Sequence, residues 1–260
     1  SSTFTVSSDG TYTVTIRDGN GCTATDTITI YPPLQVNAFV SAQPSCTVGG
    51  TITVNGAGGS GSYSFVLLDN LASPTGYVIS GSDFTGVLAG DYIVEITDAV
   101  TGCSSQTSVS LETPTPVSFT TSVSDVSCNG GSDGMITVSL DAGNDNPPYT
   151  YEITAPISVG PQSSNIFTGL PAGTYDITVT SGRDCSLTQQ ATVGEPNLLT
   201  VSGTATDFGC APDNSVNASA LTITEVGGTS PYLYSIDGIN YFTSNTFDII
   251  DTGSPQNIDI

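Results

Sequence analysis

"GLPAGTYDITVTSGRDCS", residues 169–186, decides the fold. A Pro-Ala-Gly corner leads into a tyrosine, an alternating apolar run, a Gly-bearing turn and a cysteine. Alternation with a period of two marks a strand with one buried face, and the turn folds it back on the segment that follows. The pattern occurs twice more upstream. "DGTYTVTIRDGNGC" closes on Cys22 and "AGDYIVEITDAVTGC" on Cys103, with Phe4, Phe84 and Phe167 eight residues before Tyr12, Tyr92 and Tyr175.

The cysteines give the period. Cys46, Cys128 and Cys210 are spaced by 82 residues, and Cys22, Cys103 and Cys185 by 81 and 82. Two interleaved series with one spacing define a tandem array. Proline-bearing seams, "YPP" at 31–33, "ETPTP" at 112–116 and "GEP" at 194–196, separate the units. The expected organisation is the C-terminal part of a repeat in 1–33, full repeats in 34–115 and 116–196, and a partial, truncated repeat in 197–260.

Within 116–196 the pattern predicts strands near 117–124, 135–141, 149–154, 157–160, 164–168, 174–180 and 186–193, and no helix. Seven short strands in some 80 residues predict an all-β fold. The expected form is tandem Ig-like β-sandwiches joined into an extended rod. Tyr12, Tyr92 and Tyr175 open the sixth strand, the place of a tyrosine corner, with the ring in the core and the hydroxyl on nearby backbone. Ile136, Val138 and Leu140 are expected to face Tyr175, Ile177 and Val179.

Composition narrows the function. Two Arg and no Lys stand against 24 Asp and Glu, for a net charge of −22. Such a surface repels phosphate backbones and anionic headgroups, so neither nucleic-acid binding nor membrane insertion is expected. No stretch has the length of a membrane span. His and Lys are absent, so the usual acid–base and nucleophile constellations cannot be assembled, and no enzyme is expected. No cofactor is expected, calcium apart.

Cys128 begins a Gly-rich loop but lacks the helix and Lys of a phosphate loop and the His of a catalytic thiol. Two cysteines per repeat, far apart in sequence, fit disulfides in an oxidising, extracellular compartment better than zinc. Three pairings respect the period. Bonds inside a repeat give Cys46–Cys103 and Cys128–Cys185. Bonds across a seam give Cys22–Cys46, Cys103–Cys128 and Cys185–Cys210. The third joins Cys46 to Cys185 of the next repeat. In Ig topology the first loop and the last hairpin lie at opposite ends, roughly 20 Å apart for a strand of about seven residues, which favours the third. The habit of bonds inside a domain favours the first.

Asp141, Asn144 and Asp145, in "DAGNDN", are candidate calcium ligands, although Asp and Asn also serve turns without a metal. Tyr63, Tyr149 and Tyr232, if exposed on one face, would make a platform for surface polysaccharide. Asn217 begins a formal glycosylation sequon.

"VSCNGGSDGMITVSL", "PYTYEI", "GLPAGTYDITVTSGRDCS" and "GEP" together resemble the SprB-type repeat of very large cell-surface adhesins of gliding Bacteroidota. The resemblance covers the whole chain and is strongest in 116–196. The 34–115 repeat departs at "SCTVGG" and "DAVTGC", and the last diverges after Tyr234, where "GSPQN" replaces "AGTY". It implies type IX secretion, cell-surface display and a filament carried by the gliding machinery. The expected partners are neighbouring repeats and surface-anchoring or gliding machinery. The expected role is a stalk that displays a distal adhesive domain and transmits force. The alternative is a polysaccharide-binding or spacer module of a secreted multidomain hydrolase.

Overall fold

The computed structural model describes residues 3–209 and 218–250. Cys210 and Asn217 lie outside the described residues. Among the described residues every regular element is a strand, and no helix is long and apolar enough to cross a membrane. The chain divides into two compact units, one of 1–117, 143–149 and 180–186, the other of 118–142, 150–179 and 187–260.

In the first unit, β1 (Gly10–Arg17) and β2 (Thr23–Ile30) form a two-stranded antiparallel sheet. A sandwich follows, built from β3 (Gln35–Ala42), β4 (Gly50–Ala57), β5 (Tyr63–Asp69), β6 (Ile79–Ser80), β7 (Asp83–Val87), β8 (Gly90–Asp98) and β9 (Ser104–Leu111). One sheet runs β3-β4-β7-β6 and the other β5-β8-β9. Ile52, Val54, Phe84 and Val87 from the first sheet pack with Leu67, Val94 and Leu111 from the second. These residues alternate with outward-facing Thr and Ser, as an antiparallel sheet with one wet face requires.

The second repeat has the same plan. The strands are β10 (Phe119–Ser124), β11 (Gly134–Leu140), β12 (Tyr149–Ala155), β13 (Val159–Gln162), β14 (Ile166–Leu170), β15 (Gly173–Ser181) and β16 (Ser186–Val193). They form sheets β10-β11-β14 and β13-β12-β15-β16. Ile136 and Val138 are buried, as are Tyr175, Ile177 and Val179, while Leu140 is half-buried. Seven strands in two antiparallel sheets per repeat make the fold tandem Ig-like. The remaining strands, β17 (Thr200–Ala205), β18 (Ser219–Val226) and β19 (Thr246–Ile249), form one three-stranded sheet.

The glycines behind each loop cysteine have a steric reason. At Gly50 and Gly134 the register with the third strand of the sheet slips. A Cβ on Gly50 would meet Leu111 Cδ2 at 2.5 Å, and one on Gly134 would meet Val193 Cγ1 at 2.5 Å. Neither atom can retreat, since each belongs to a packed core residue.

Tyr12, Tyr92 and Tyr175 each donate their hydroxyl to the carbonyl four residues upstream, Ser8, Leu88 and Pro171. Only Tyr175 is core, at 2% exposure; Tyr12 and Tyr92 are half-buried. Around Tyr12 the reason is that β1 and β2 have no facing sheet among the described residues.

Among the described residues one carboxylate is fully buried. Asp98 sits where β8 turns toward β9, and accepts from the amides of Val100, Thr101 and Ser60 and from the Thr101 hydroxyl. Burial pushes its pKa up, but the bonds from Thr101 and Ser60 outweigh that and hold it well below the usual carboxylate range. A lowered folded-state pKa means stability that is present above the ordinary value of 3.8 and lost as the pH falls below it. Asp98→Asn is expected to lower the urea midpoint at neutral pH and to flatten the decline below pH 3.8. Parallel pH profiles for variant and parent would contradict the assignment.

Candidate functional site

The chemistry-bearing groups converge at the hairpin tip 180–186, which belongs to the first compact unit. The tip is built locally. Ser181 Oγ accepts from the amides of Arg183 (3.4 Å) and Cys185 (3.2 Å), and Ser181 and Cys185 close the hairpin through Ser181 N to Cys185 O at 2.8 Å. Asp184 takes a positive φ of 53°, a region Asp tolerates better than most residues. Gly182 donates to Asn146 O (2.9 Å), and a Cβ there would lie 2.6 Å from Pro147 O. The buried Asn146 also reaches Thr115 O through Nδ2 at 3.1 Å, and its own amide donates to the Tyr149 hydroxyl at 3.0 Å.

On this platform stand a cysteine and a cation. Cys185 is disulfide-bonded to Cys46, with Cα atoms 4.9 Å apart. Cys46 lies in the loop between β3 and β4, and its amide donates to Arg183 O at 2.9 Å. Arg183 extends its guanidinium over the same loop. Nε and Nη2 donate to Pro44 O at 2.8 and 2.6 Å, and Nη2 also donates to Glu112 O at 2.6 Å. One side chain thus grips the loop after the first strand and the seam after the last. Gln43 completes the seam by accepting from the Glu112 amide at 2.9 Å. Only a forked, fixed-plane donor set can satisfy two carbonyls in this way; a Lys ammonium would be a point charge with its donors elsewhere.

Cys22, Cys103 and Cys128 are free and exposed. The Cys46–Cys185 bond takes the place of the alternative pairings inside a repeat, Cys46–Cys103 and Cys128–Cys185. The reason for the first is strand length. Within the first sandwich the Cys46 loop lies at the Gly90–Leu111 end of β8 and β9, against Gly86, whereas Cys103 follows the Thr97–Ser104 end. β8 has nine residues at about 3.3 Å each, and no disulfide spans that distance. Of the six cysteines, only Cys46 and Cys185 stand 139 residues apart with the loop cysteine first.

The calcium candidates Asp141, Asn144 and Asp145 follow β11. Asp141 accepts from the Ser118 hydroxyl, and its amide donates to Ser118 O at 3.0 Å, which closes the end of the β10–β11 pair. Asn144 is half-buried and Asp145 exposed. Among the described residues no group of three His, Cys, Asp or Glu could hold a metal ion. Tyr63, Tyr149 and Tyr232 are half-buried and not free platforms. Tyr63 and Tyr232 donate to the carbonyls of Gly58 and Gly227, and the Tyr149 hydroxyl accepts from the Asn146 amide.

The geometry sits beside a recognisable sequence. Residues 120–156 match the SprB repeat. The match covers most of β10, all of β11 and β12 and the Cys128 loop between the first two. No curated protein matches the chain. Among solved structures it is similar to three N-terminal domains of the highly immunogenic outer capsid protein of bacteriophage RB49. There the identity is 12%, the coverage 77% of this chain and 72% of that one, and the TM-score 0.44. It is also similar to titin I-band fragment I67–I69 (14% identity, 71% and 74%, TM-score 0.33). Extracellular domains 3–5 of Drosophila OTK give 10% identity, 71% and 70%, and TM-score 0.32.

Arg183 was the residue sequence reasoning passed over. Its signal was scarcity: one of two cations in 260 residues, placed two residues before a period-setting cysteine. Arg183→Ala is expected to destabilise the protein by about 2 kcal/mol, the loss of charge-assisted bonds to two carbonyls. Arg183→Lys is expected to recover little of it, as read from urea midpoints with the disulfide intact. Full recovery by Lys would show that charge, not the fork, is what the junction uses.

Proposed function

We propose that the chain is a structural segment of an extracellular surface adhesin or filament, with 34–115 and 116–196 as its complete repeats. Successive sandwiches form a stalk that displays a distal adhesive domain and carries force, in surface attachment or gliding motility. The observation that carries this reading is the joint of Cys46, Cys185 and Arg183, which ties a loop of one repeat to a hairpin of the next. A disulfide of this kind belongs to an oxidising compartment, and repeat arrays grow in length without growing a core. The match to the SprB repeat supports surface display and export by a type IX secretion system. The absence of His and Lys from the sequence speaks for a structural and not a catalytic part. The partners on this reading are adjoining repeats and the machinery that anchors or moves the filament.

The test is an antibody against residues 116–196, attached to beads and applied to living cells. Beads that bind and are carried along the surface are the expected result for a motility adhesin, and beads that bind and stay in place for a static one. Antigen found only in the medium, with no beads bound, would overturn surface display and favour the secreted hydrolase spacer.

A further inference from the structure

The sulfur bridge of the joint can be reached from one side. Cys46 is exposed, whereas Cys185 is buried at 2% exposure. Cys46 also lines a groove of about 270 Å³ whose residues all belong to the first compact unit. Its lining is the loop 44–49 together with Leu88, Ala89 and Pro114. Both parts are fixed by hydrogen bonds before anything enters. Ser45 N donates to Val48 O at 2.7 Å, and Val48 N donates to Ser45 Oγ at 3.0 Å. Behind the loop there is no slack, since a Cβ on Gly49 would lie 2.3 Å from the Gly86 carbonyl carbon. Leu88 is pinned by two tyrosines: its amide donates to the Tyr77 hydroxyl and its carbonyl accepts from the Tyr92 hydroxyl, both at 3.1 Å. A preformed concavity lined by Pro44, Val48, Leu88, Ala89 and Pro114 has the apolar character of a small-molecule site. Its volume lies below that of pockets that hold drug-sized ligands, so the body it admits is small.

We propose that this groove is a thiol-exchange site, where a small neutral thiol enters and modifies Cys46. Access decides which sulfur of a disulfide is attacked, and here it selects Cys46. The entering thiolate bonds to Cys46 Sγ and the Cys46–Cys185 bond breaks. Cys185 leaves with the electron pair and takes up a proton. One S–S bond is exchanged for another, so no oxidant is consumed. Arg183 O stands 3.6 Å from Cys185 Sγ, in place to accept from the freed thiol. Charge sets the neutrality of the entrant, because a chain of net charge −22 repels an anionic thiol.

The joint does not come apart when the bridge opens. The bond from Cys46 N to Arg183 O and the guanidinium bonds to Pro44 O and Glu112 O involve no sulfur. They keep the modified Cys46 beside the Cys185 thiol. Once free thiol is removed, the Cys185 thiolate attacks Cys46 Sγ, expels the small thiolate and restores the original bond. The exchange is therefore reversible, with Arg183 holding the two cysteines in register through both states.

The test uses the 260-residue chain with its free thiols blocked by N-ethylmaleimide and the disulfide intact. It is treated with mercaptoethanol, quenched into denaturant with iodoacetamide, and mapped as peptides. The expected result is a mercaptoethanol adduct on Cys46 and iodoacetamide on Cys185. Measured against the unfolded chain in urea, glutathione, which is anionic and bulkier, is expected to react several-fold more slowly than mercaptoethanol. Val48→Trp, at an exposed site in the groove, is expected to slow mercaptoethanol several-fold. Desalting before the quench is expected to restore the Cys46–Cys185 bond. Adducts shared equally by Cys46 and Cys185 would overturn the proposal. So would equal relative rates for the two thiols with no effect of Val48→Trp, or an adduct that survives desalting. None of these outcomes bears on the surface-display reading, which the bead experiment decides.

Discussion

The bond between Cys46 and Cys185 lies where strand length puts it. A sandwich of this size has its first loop at one end and its last hairpin at the other, and the length of β8 separates Cys46 from Cys103 in the same repeat. A loop cysteine can therefore meet a hairpin cysteine only if the two come from successive repeats. Much else in the chain follows from that: the 82-residue period, the two cysteines per repeat, and the glycines that let the loop pass close under β9 and β16. Closing a 139-residue loop removes about 5 kcal/mol of chain entropy from the unfolded state in the chain-entropy picture. That is a large supplement for domains of some 80 residues, each with one thin core.

Charge explains why the cation matters. With 24 acidic residues against two Arg, the surface repels itself at low salt, and ion pairs cannot offset the repulsion. The structure places its scarce guanidinium on two backbone carbonyls, and the buried carboxylate of Asp98 on backbone amides and a hydroxyl. In both places the partner is mostly main chain, which holds its position whatever side chains evolve around it. Hydrogen bonds from one ionised partner keep most of their strength without a second charge to desolvate.

The fold was legible in the sequence because period-two alternation, turn residues and cysteine spacing all pointed the same way. The strands read in 116–196 lie within a few residues of those observed, with β13 displaced toward Val159–Gln162. The hydroxyl bonds of Tyr12, Tyr92 and Tyr175 follow a local i to i−4 geometry that the "AGTY"-type corner encodes. Which of these tyrosines is buried was not encoded locally: Tyr92 is half-buried although its strand belongs to a complete sandwich, while Tyr175 is core. The Arg183 fork was hidden for a related reason. Its acceptors, Pro44 O and Glu112 O, are 139 and 71 residues away and are carbonyls, which carry no side-chain signature. Asp98 was equally silent, one Asp in a turn among many, until the burial of its neighbours removed water from around it.

The most direct test of the central claim is to stretch single molecules from both termini, first oxidised and then with a reductant. If Cys46 and Cys185 are joined, the 139 residues between them are locked out of the extended length. Reduction then releases one step of roughly 490 Å, at about 3.5 Å per residue. Two steps of roughly 200 Å each would mean bonds inside each repeat, Cys46–Cys103 and Cys128–Cys185, with 57 residues per loop. That result, or no change on reduction, would contradict the account of a joint that binds one repeat to the next.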